Sequence, residues 1–237
     1  EGPRAKKLPA PSYAAPQLND KPGWYRIAPH VHTVHSDGRL TPAEVIALGK
    51  ASGLDGIVST DHNTTSALLH WGEVQDPEFL VINGVEVTYG QGHWNIFGLD
   101  PHAWIDFRIH HNDTLRYRKA VAKARKAGRL LVANHPYNLD FLYDVTPMDG
   151  IEVWNSAWSP ANERAVELWH TLLVGGNRKF AVASTDFHRG GNIASPHTVV
   201  RAEALSAEAV IDAIAAGRSY MARDTSVEIG MQVRNSA

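Results

Sequence analysis

Two short motifs each place two potential metal ligands two residues apart. His30 and His32 are separated by one valine, and Asp186 and His188 are separated by one phenylalanine. On a β-strand this spacing directs both side chains to the same face of the sheet. Imidazole and carboxylate groups bind zinc, manganese and iron, so each motif is a candidate for part of a metal site, although histidine pairs are also common on protein surfaces.

Three more candidate segments end or interrupt short apolar runs. Asp61 and His62 follow the run I-V-S-T, Glu86 lies between valines in V-E-V-T, and His135 follows L-L-V-A. Asp61 is also accounted for as a turn or cap residue. The joint pattern lacks a simple structural explanation, because a buried group of carboxylates and imidazoles is electrostatically costly without a metal ion. It therefore predicts a metal site.

From Trp24 onwards the sequence alternates between short β-rich segments and helical patterns. One helix is predicted with Thr41 as N-cap, Pro42 in the first turn, Glu44 completing a capping box and Gly53 near its end. Strands that alternate with helices favour parallel βαβ units, and about seven such units favour a closed or nearly closed α/β barrel. The candidate ligands fall at predicted strand ends, which meet at one rim of such a barrel.

The composition excludes several classes of protein. A chain of 237 residues with 43% hydrophobic content can bury one large core. Its formal net charge of -2 at pH 7 gives no support to nucleic-acid binding. The absence of cysteine excludes disulfides, thiolate zinc sites and cysteine nucleophiles. No apolar run of about 18 residues occurs, so no transmembrane helix is expected.

The two ends of the predicted domain differ in character. Residues 1–23 are rich in proline, alanine and lysine and lack periodicity, which predicts an extended N-terminal arm or leader remnant. Residues 24–237 are predicted to form a single barrel domain. A cleaved export signal upstream would fit a periplasmic or secreted protein, which we favour slightly over a cytoplasmic one; a trimmed start accounts for the same residues equally well.

Several linked segments resemble one family. These are H-V-H-T-V-H-S-D-G-R-L-T-P-A-E at 30–44, G-L-D-G-I-V-S-T-D-H-N at 53–63, A-N-H-P at 133–136 and S-T-D-F-H at 184–188. Together they resemble the PHP (polymerase and histidinol phosphatase) family, and G-V-E-V-T-Y-G-Q-G-H-W-N-I-F-G at 84–98 is similar to its carbaryl-hydrolase-like branch. The resemblance runs from about residue 24 to residue 220. It implies a distorted (β/α)7 TIM-like barrel that holds two to three divalent ions, with manganese, zinc and iron all compatible.

The resemblance also implies which residues bind the ions. The nine ligands fall into three sets: His30, His32, Glu86 and Asp186 for one ion; Glu86 again, as a bridge, with His93 and His135 for a second; and Asp37, His62 and His188 for a third. Some members of the family have a histidine where Asp37 stands, and His35 is a competing candidate for that position.

The chemistry that follows from a bridged pair of ions is hydrolysis. A water between two ions loses its proton near neutral pH, and the resulting bridging hydroxide attacks an ester. We therefore expect a metal-dependent phosphoesterase acting on a small-molecule phosphomonoester or phosphodiester. The residues expected at the reaction itself are Glu86, Asp37, His188 and Arg189. The sequence leaves the oligomeric state open.

The same ligand sets favour an anionic substrate. Three divalent ions, three carboxylates and one hydroxide would leave about two positive charges at the site. Arg39 and Arg189 follow the first and last motifs and are expected to bind phosphate. Tyr137, Trp154 and Asn155 lie near predicted strand ends and are expected to line the leaving-group pocket, although packing at the barrel rim explains them equally well.

Three alternatives stay open. The first is hydrolysis of a carbamate or carboxylic ester, which the branch resemblance permits. The second is a catalytically silent metal-binding module, which fits poorly because every expected ligand position is filled. The third is a nuclease, which the near-neutral charge disfavours because its only basic helix, R-Y-R-K-A-V-A-K-A-R-K, is more simply a solvated outer face.

Overall fold

The computed structural model describes residues 13–137 and 143–229. The strands among these residues are β1 Gly23–Val31, β2 Gly56–Ser59, β3 Leu80–Ile82, β4 Gly84–Tyr89, β5 Gly92–Phe97, β6 Leu130–Ala133, β7 Gly150–Asn155, β8 Phe180–Ser184, β9 His197–Ala202 and β10 Ser219–Ala222. The helices are α1 Pro42–Ala51, α2 Leu68–Trp71, α3 Thr114–Ala127, α4 Pro160–Val174 and α5 Ala207–Ala215. None of these helices is long and apolar enough to cross a membrane.

The strands form two five-stranded sheets, in the orders β10-β9-β1-β2-β3 and β4-β5-β6-β7-β8. The mixed α/β class is thus confirmed, but a single closed barrel is not seen in the described residues. Isolated bridges, instead of a continuous ladder, join the two sheets: Val31 at the end of β1 pairs with Phe187 after β8, and His62 after β2 pairs with Glu86 of β4.

The expectation of parallel pairing holds only for part of each sheet. Strands β1, β2 and β3 pair in parallel, as do β6, β7 and β8. Strands β4, β5 and β6 pair antiparallel, as do β1, β9 and β10. Only residues 90 and 91 separate β4 from β5, and so short a connection can join antiparallel strands but not parallel ones.

The predicted start of the first helix is confirmed. Thr41 Oγ1 accepts a hydrogen bond from the backbone N–H of Glu44, and the Glu44 carboxylate accepts one from the backbone N–H of Thr41 at 2.8 Å. Gly53 follows the helix with a φ of +78°, a conformation that favours glycine. This capping box, which contributes about 1 kcal/mol in typical proteins, anchors the end of the loop that carries Asp37.

Strand β4 shows how the sequence separates core from site. Val85, Val87 and Tyr89 pack into one hydrophobic cluster together with buried residues of β5, β6 and β7. Glu86 lies on the opposite face and is fully buried. The alternation of side chains along a strand therefore places a carboxylate inside the molecule while its neighbours stabilise the outer layer.

The described part of the N-terminal segment lies against the domain. Tyr13 is buried, and its hydroxyl donates a hydrogen bond to the carbonyl of Val81 at 3.0 Å. The backbone N–H of Leu18 donates to the carbonyl of Leu205 at 2.9 Å. Residues 1–12 and 230–237 lie outside the described residues, so the division at residue 23 stays a prediction.

Candidate metal centre

The H-V-H motif lies at the end of β1 and directs both imidazoles inward. His30 and His32 are 1% and 0% exposed, and their ring centroids are 5.0 Å apart. The carboxylate of Asp186, which follows β8, lies between them, since its Oδ1 atom is 3.1 Å from His30 Nε2 and 3.0 Å from His32 Nε2. These side chains from two sheets therefore converge on one point.

Glu86 lies at the centre of the imidazoles. Its carboxylate oxygens face five histidines: Oε1 is 3.4 Å from His30 Nε2, 3.2 Å from His93 Nδ1 and 3.5 Å from His135 Nε2, and Oε2 is 3.4 Å from His32 Nε2 and 2.8 Å from His62 Nδ1. The side-chain amide of Asn134 donates a hydrogen bond to Oε1 at 2.7 Å. Asn134 thus fixes the orientation of the carboxylate.

His93 reaches Glu86 through the β4–β5 hairpin. In this hairpin Thr88 pairs with His93 and Glu86 pairs with Asn95. The chain turns back directly after β4, so an imidazole of β5 returns to the same face as the carboxylate. His135 reaches the same oxygen of Glu86 from the end of β6, where its backbone has a φ of +25°.

A third group of ligands lies at the solvent-facing edge of the cluster. Oδ1 of Asp37 is 3.1 Å from His188 Nε2, 3.5 Å from His62 Nε2 and 3.9 Å from His32 Nδ1. The side chain of Asp37 is 59% exposed, whereas that of His32 is fully buried. The cluster therefore extends from a closed interior to an edge that a substrate can reach.

All nine expected ligands come together, but the groups overlap more than the three expected sets. Ligand atoms within coordination range of one another fall into four groups: His32, Asp37, His62 and His188; His30, His135 and Glu152; His30, His32 and Asp186; and His62, Glu86 and His93. His32 thus joins the exposed group as well as the buried one, because its two ring nitrogens face opposite sides.

Glu152 of β7 is a site residue that the sequence analysis missed. Its side chain is 2% exposed, and its Oε1 atom is 3.1 Å from His30 Nδ1. Its Oε2 atom accepts hydrogen bonds from the backbone N–H of His135 at 3.0 Å and from the side chain of Asn155 at 3.1 Å. The signal was present in G-I-E-V-W-N, where an acidic residue interrupts an apolar strand as Glu86 does in V-E-V.

Asp61 supports a loop and does not join the groups of ligands. It is buried and accepts hydrogen bonds from the backbone N–H and the hydroxyl of Thr33, both at 2.8 Å, and from the hydroxyl of Ser36 at 2.7 Å. Its partners lie 28 and 25 residues away in the chain, so Asp61 joins two loops instead of acting as a local turn or cap residue. His35 contacts Ser66 Oγ at 2.9 Å through Nδ1 and does not fall among the groups that contain Asp37.

The five expected substrate contacts differ in their surroundings. Arg39 and Arg189 are exposed. The guanidinium of Arg164 lies 4.2 Å from the ring centre of Tyr137. Trp154 is partly buried and donates a hydrogen bond to the carbonyl of Ser156. Asn155 is 4% exposed and contacts Glu152, so it supports the cluster from behind.

The charges of the cluster hold the carboxylate of Glu86 in the ionised form. Burial acts to lower the pKa of His30, but the neighbouring carboxylates, that of Asp186 first, outweigh burial and raise it well above 6.5. Burial acts to raise the pKa of Glu86, but the charge on His30 and the close imidazoles of His135 and His62 hold it well below 4.5. Ionised carboxylates are the form that binds metal ions.

The donor atoms fit a divalent metal ion. His30 Nε2, His32 Nε2 and Asp186 Oδ1 are buried and, among the described residues, form no hydrogen bond although they approach one another closely. Such atoms are costly to bury unless an additional group satisfies them. A mixed set of imidazole and carboxylate donors suits zinc, manganese or iron.

No protein-family model and no curated protein matches the sequence. Solved structures share its fold. A two-domain protein from Bacteroides vulgatus, described as containing a predicted PHP-like metal-dependent phosphoesterase, has a TM-score of 0.67 and 20% identity, and the match covers 89% of this chain and 68% of that chain. PsfC from Pseudomonas syringae has a TM-score of 0.62 and 15% identity, and the match covers 86% of this chain and 93% of that chain. An amidohydrolase from Chromobacterium violaceum with bound sulfate and no metal has a TM-score of 0.52 and 19% identity, and the match covers 70% of this chain and 89% of that chain.

The chain has the same mixed α/β fold as these structures. The resemblance to the PHP family is confirmed at the level of the fold, since a PHP-like protein superposes over nearly the whole described chain. At this level of identity the similarity carries the fold alone, and the activity rests on the site.

Proposed function

We propose that the protein is a metal-dependent hydrolase that cleaves phosphate esters of small molecules. The observation that carries this proposal is the position of Glu86, a fully buried carboxylate within 3.5 Å of nitrogen atoms from five histidines. A carboxylate surrounded in this way suits a bridge between two divalent ions. Most of the ligands meet at the carboxyl ends of β1, β2, β6 and β8, and the carboxyl ends of parallel strands are where α/β proteins bind substrates.

The residues that would hold the ions are the nine expected ligands, in the sets given by the resemblance, with His32 available to two of them. Bound divalent ions supply Lewis acidity toward a phosphoryl oxygen and lower the pKa of a coordinated water. Manganese, zinc and iron are all compatible with these donors.

The chain itself contributes orientation. Asn134 holds one oxygen of Glu86, and Glu152 holds Nδ1 of His30, so each directs its remaining donor atom into the cluster. The backbone N–H of Arg39 donates to the carbonyl of His188 at 2.8 Å, which joins the loops after β1 and β8. This contact fixes the edge at which Asp37 meets solvent and at which the exposed Arg39 and Arg189 can attract an anion.

Phosphate esters are favoured as substrates over neutral esters for two reasons. With Glu152 counted beside Asp37, Glu86 and Asp186, three divalent ions and one hydroxide leave about one positive charge at the site, which stabilises an anionic ester more than a neutral one. In addition, the amidohydrolase of similar fold binds sulfate, a tetrahedral anion, and the two-domain neighbour is described as a predicted phosphoesterase. Both descriptions are compatible with an anionic substrate.

Hydrolysis of a carbamate or carboxylic ester is the second candidate. The name of the amidohydrolase neighbour favours it, as does the resemblance of residues 84–98 to the carbaryl-hydrolase-like branch. Both reactions use the same ligands, and they differ in the charge of the group attacked.

A panel of aryl esters with a common leaving group separates the candidates. Manganese-loaded and zinc-loaded protein would be assayed with 4-nitrophenyl phosphate, bis(4-nitrophenyl) phosphate, 4-nitrophenyl acetate and a 4-nitrophenyl carbamate. We expect kcat/KM to be highest for one of the phosphate esters. A higher value for the carbamate or acetate, lost on chelation, would replace phosphate by the neutral ester.

A further inference from the structure

A second feature of the same rim is a cleft lined by aromatic side chains and one arginine. The cleft has a volume of about 550 Å³, and its walls include Trp154, Trp158, Pro196 and Arg223. The two indole rings meet edge to face, with centroids 5.3 Å apart and an interplanar angle of 89°. Trp158 is 51% exposed, so the apolar surface it presents is open to a ligand.

The cleft adjoins the metal centre through the end of β8. Its wall residue Ser156 donates a backbone hydrogen bond to the carbonyl of Ser184 at 2.9 Å and a hydroxyl hydrogen bond to the carbonyl of Thr185 at 2.6 Å. Thr185 directly precedes Asp186, so their Cα atoms are about 3.8 Å apart. A molecule bound with one end at Asp186 can therefore place its other end in the cleft.

The opposite wall lies on the same side of the molecule because of the strand directions. Strand β9 runs antiparallel to β1, and β10 runs antiparallel to β9, with Ala222 paired with His197. The residue after β10, Arg223, is thereby carried to the end of the sheet at which β1 delivers its two histidines. Arg223 is exposed and takes part in no ion pair among the described residues.

Chemistry sets what this cleft can hold. Indole faces and edges favour a planar aromatic ring over an alkyl chain, and a guanidinium favours a carboxylate or phosphate. The neighbouring carboxylate of Asp224 accepts hydrogen bonds from both the backbone N–H and the hydroxyl of Ser226. Asp224 is thus partly satisfied locally, which leaves the donors of Arg223 available to a ligand.

We infer that this cleft binds the leaving group of the ester and selects an aromatic leaving group that carries an anionic substituent. Trp154 and Trp158 contact the ring, and Arg223 pairs with the substituent. The inference rests on the proposed function, because it takes the reacting ester to lie at the adjoining metal centre. It adds two residues, Trp158 and Arg223, to the site residues expected from the sequence.

The kinetic test compares 4-carboxyphenyl phosphate with phenyl phosphate. The ratio of their kcat/KM values would be measured for wild type, Arg223→Gln and Trp158→Ala, so that the intrinsic difference between the leaving groups cancels. Arg223→Gln should lower the ratio roughly tenfold, the loss of one charge-assisted hydrogen bond. Trp158→Ala should lower kcat/KM for both aryl esters. Unchanged values in both variants would overturn the inference.

Matched control variants come from the opposite end of the sheet. Trp24 is 50% exposed and packs on Tyr220 near the start of β1, and the exposed Arg218 precedes β10. Trp24→Ala and Arg218→Gln remove the same kinds of side chain without touching the cleft. Both should retain the wild-type ratio, and a loss equal to that of the cleft variants would also overturn the inference.

A binding measurement separates the inference from the proposed function. Calorimetric titration with 4-hydroxybenzoate, the phenol released from 4-carboxyphenyl phosphate, needs no turnover. Wild type should bind it more tightly than Arg223→Gln or Trp158→Ala do. If it binds in this way and no ester is hydrolysed, the cleft stands as a binding site and the proposed function fails; if esters are hydrolysed but 4-hydroxybenzoate binds all three proteins equally or not at all, the inference fails alone.

Discussion

Nδ1 of His30 lies 3.1 Å from Oε1 of Glu152, and the opposite nitrogen of the same ring faces Glu86 and Asp186. A carboxylate behind an imidazole fixes the orientation of the ring and keeps the proton on the nitrogen that faces it, here Nδ1. The opposite nitrogen, Nε2, is then able to bind a metal ion. Glu152 also accepts from the backbone of His135. One buried residue therefore positions two proposed ligands from different strands.

Glu152→Gln should weaken metal binding without removing any of the nine proposed ligands. The amide keeps the shape of the side chain but loses the charge that orients His30, and loss of such a partner typically costs 10- to 100-fold in metal affinity. Titration of metal-free protein with Mn²⁺ measures the effect. Glu203→Gln, at an exposed position, is the control. Equal affinity in wild type and Glu152→Gln would contradict a positioning role.

Glu86→Ala should reduce turnover almost to zero. The substitution removes the carboxylate common to two ion sets, and the expected loss in kcat is several orders of magnitude. Bound metal should fall in the same samples. Nearly wild-type activity in Glu86→Ala would contradict the proposed bridge.

Asp37→Ala should affect substrates unequally. Asp37 lies at the exposed edge of the cluster, so its loss leaves Glu86 and the buried ligands in place. Aryl phosphates with good leaving groups should retain measurable turnover, and those with poor leaving groups should lose more, because an ion at this edge can neutralise the departing oxygen. The measurement is kcat/KM across aryl phosphates of graded leaving-group pKa. The same loss for every leaving group would exclude this role.

Stability should fall steeply in alkali because of a buried group of tyrosines. Burial raises the pKa of Tyr89, Tyr117 and Tyr143 well above the ordinary value of 10.0. Above that pH the unfolded chain loses phenolic protons that the folded chain keeps. The contribution of these tyrosines to the free energy of unfolding is therefore fully present below about pH 10 and declines above it. Urea unfolding from about pH 8 to pH 11 checks this. Tyr117→Phe should decline less steeply, and a slope equal to that of wild type would contradict the assignment.

Local signals in the sequence account for much of the site. The spacing of His30 and His32, the strand ends before His62 and His135, and the turn that returns His93 toward Glu86 all depend on short stretches of chain. Neighbouring residues determine strand direction and side-chain face, so such features can be predicted without knowing the partners. The capping box of Thr41 and Glu44 is confirmed for the same reason.

Features that depend on distant parts of the chain were not predicted. Two sheets in place of one closed barrel result from which strands pair across 50 or more residues, as β1 does with β9. Glu152 went unnoticed because its partners, His30 and His135, are 122 and 17 residues away. The cleft at Trp158 and Arg223 combines three strand ends, and no single segment carries its pattern.

The measurement that tests the central claim most directly is hydrolysis of 4-nitrophenyl phosphate as a function of bound metal. Chelator-treated protein would be reloaded with Mn²⁺ in steps, with bound metal and initial rate determined on the same samples. The account predicts no turnover without metal and activity that appears as the chain acquires its second ion, because Glu86 faces two sets of histidines. Equal turnover with and without metal, or a fully loaded chain that cleaves no ester of phosphate, carbamate or carboxylate, would contradict it.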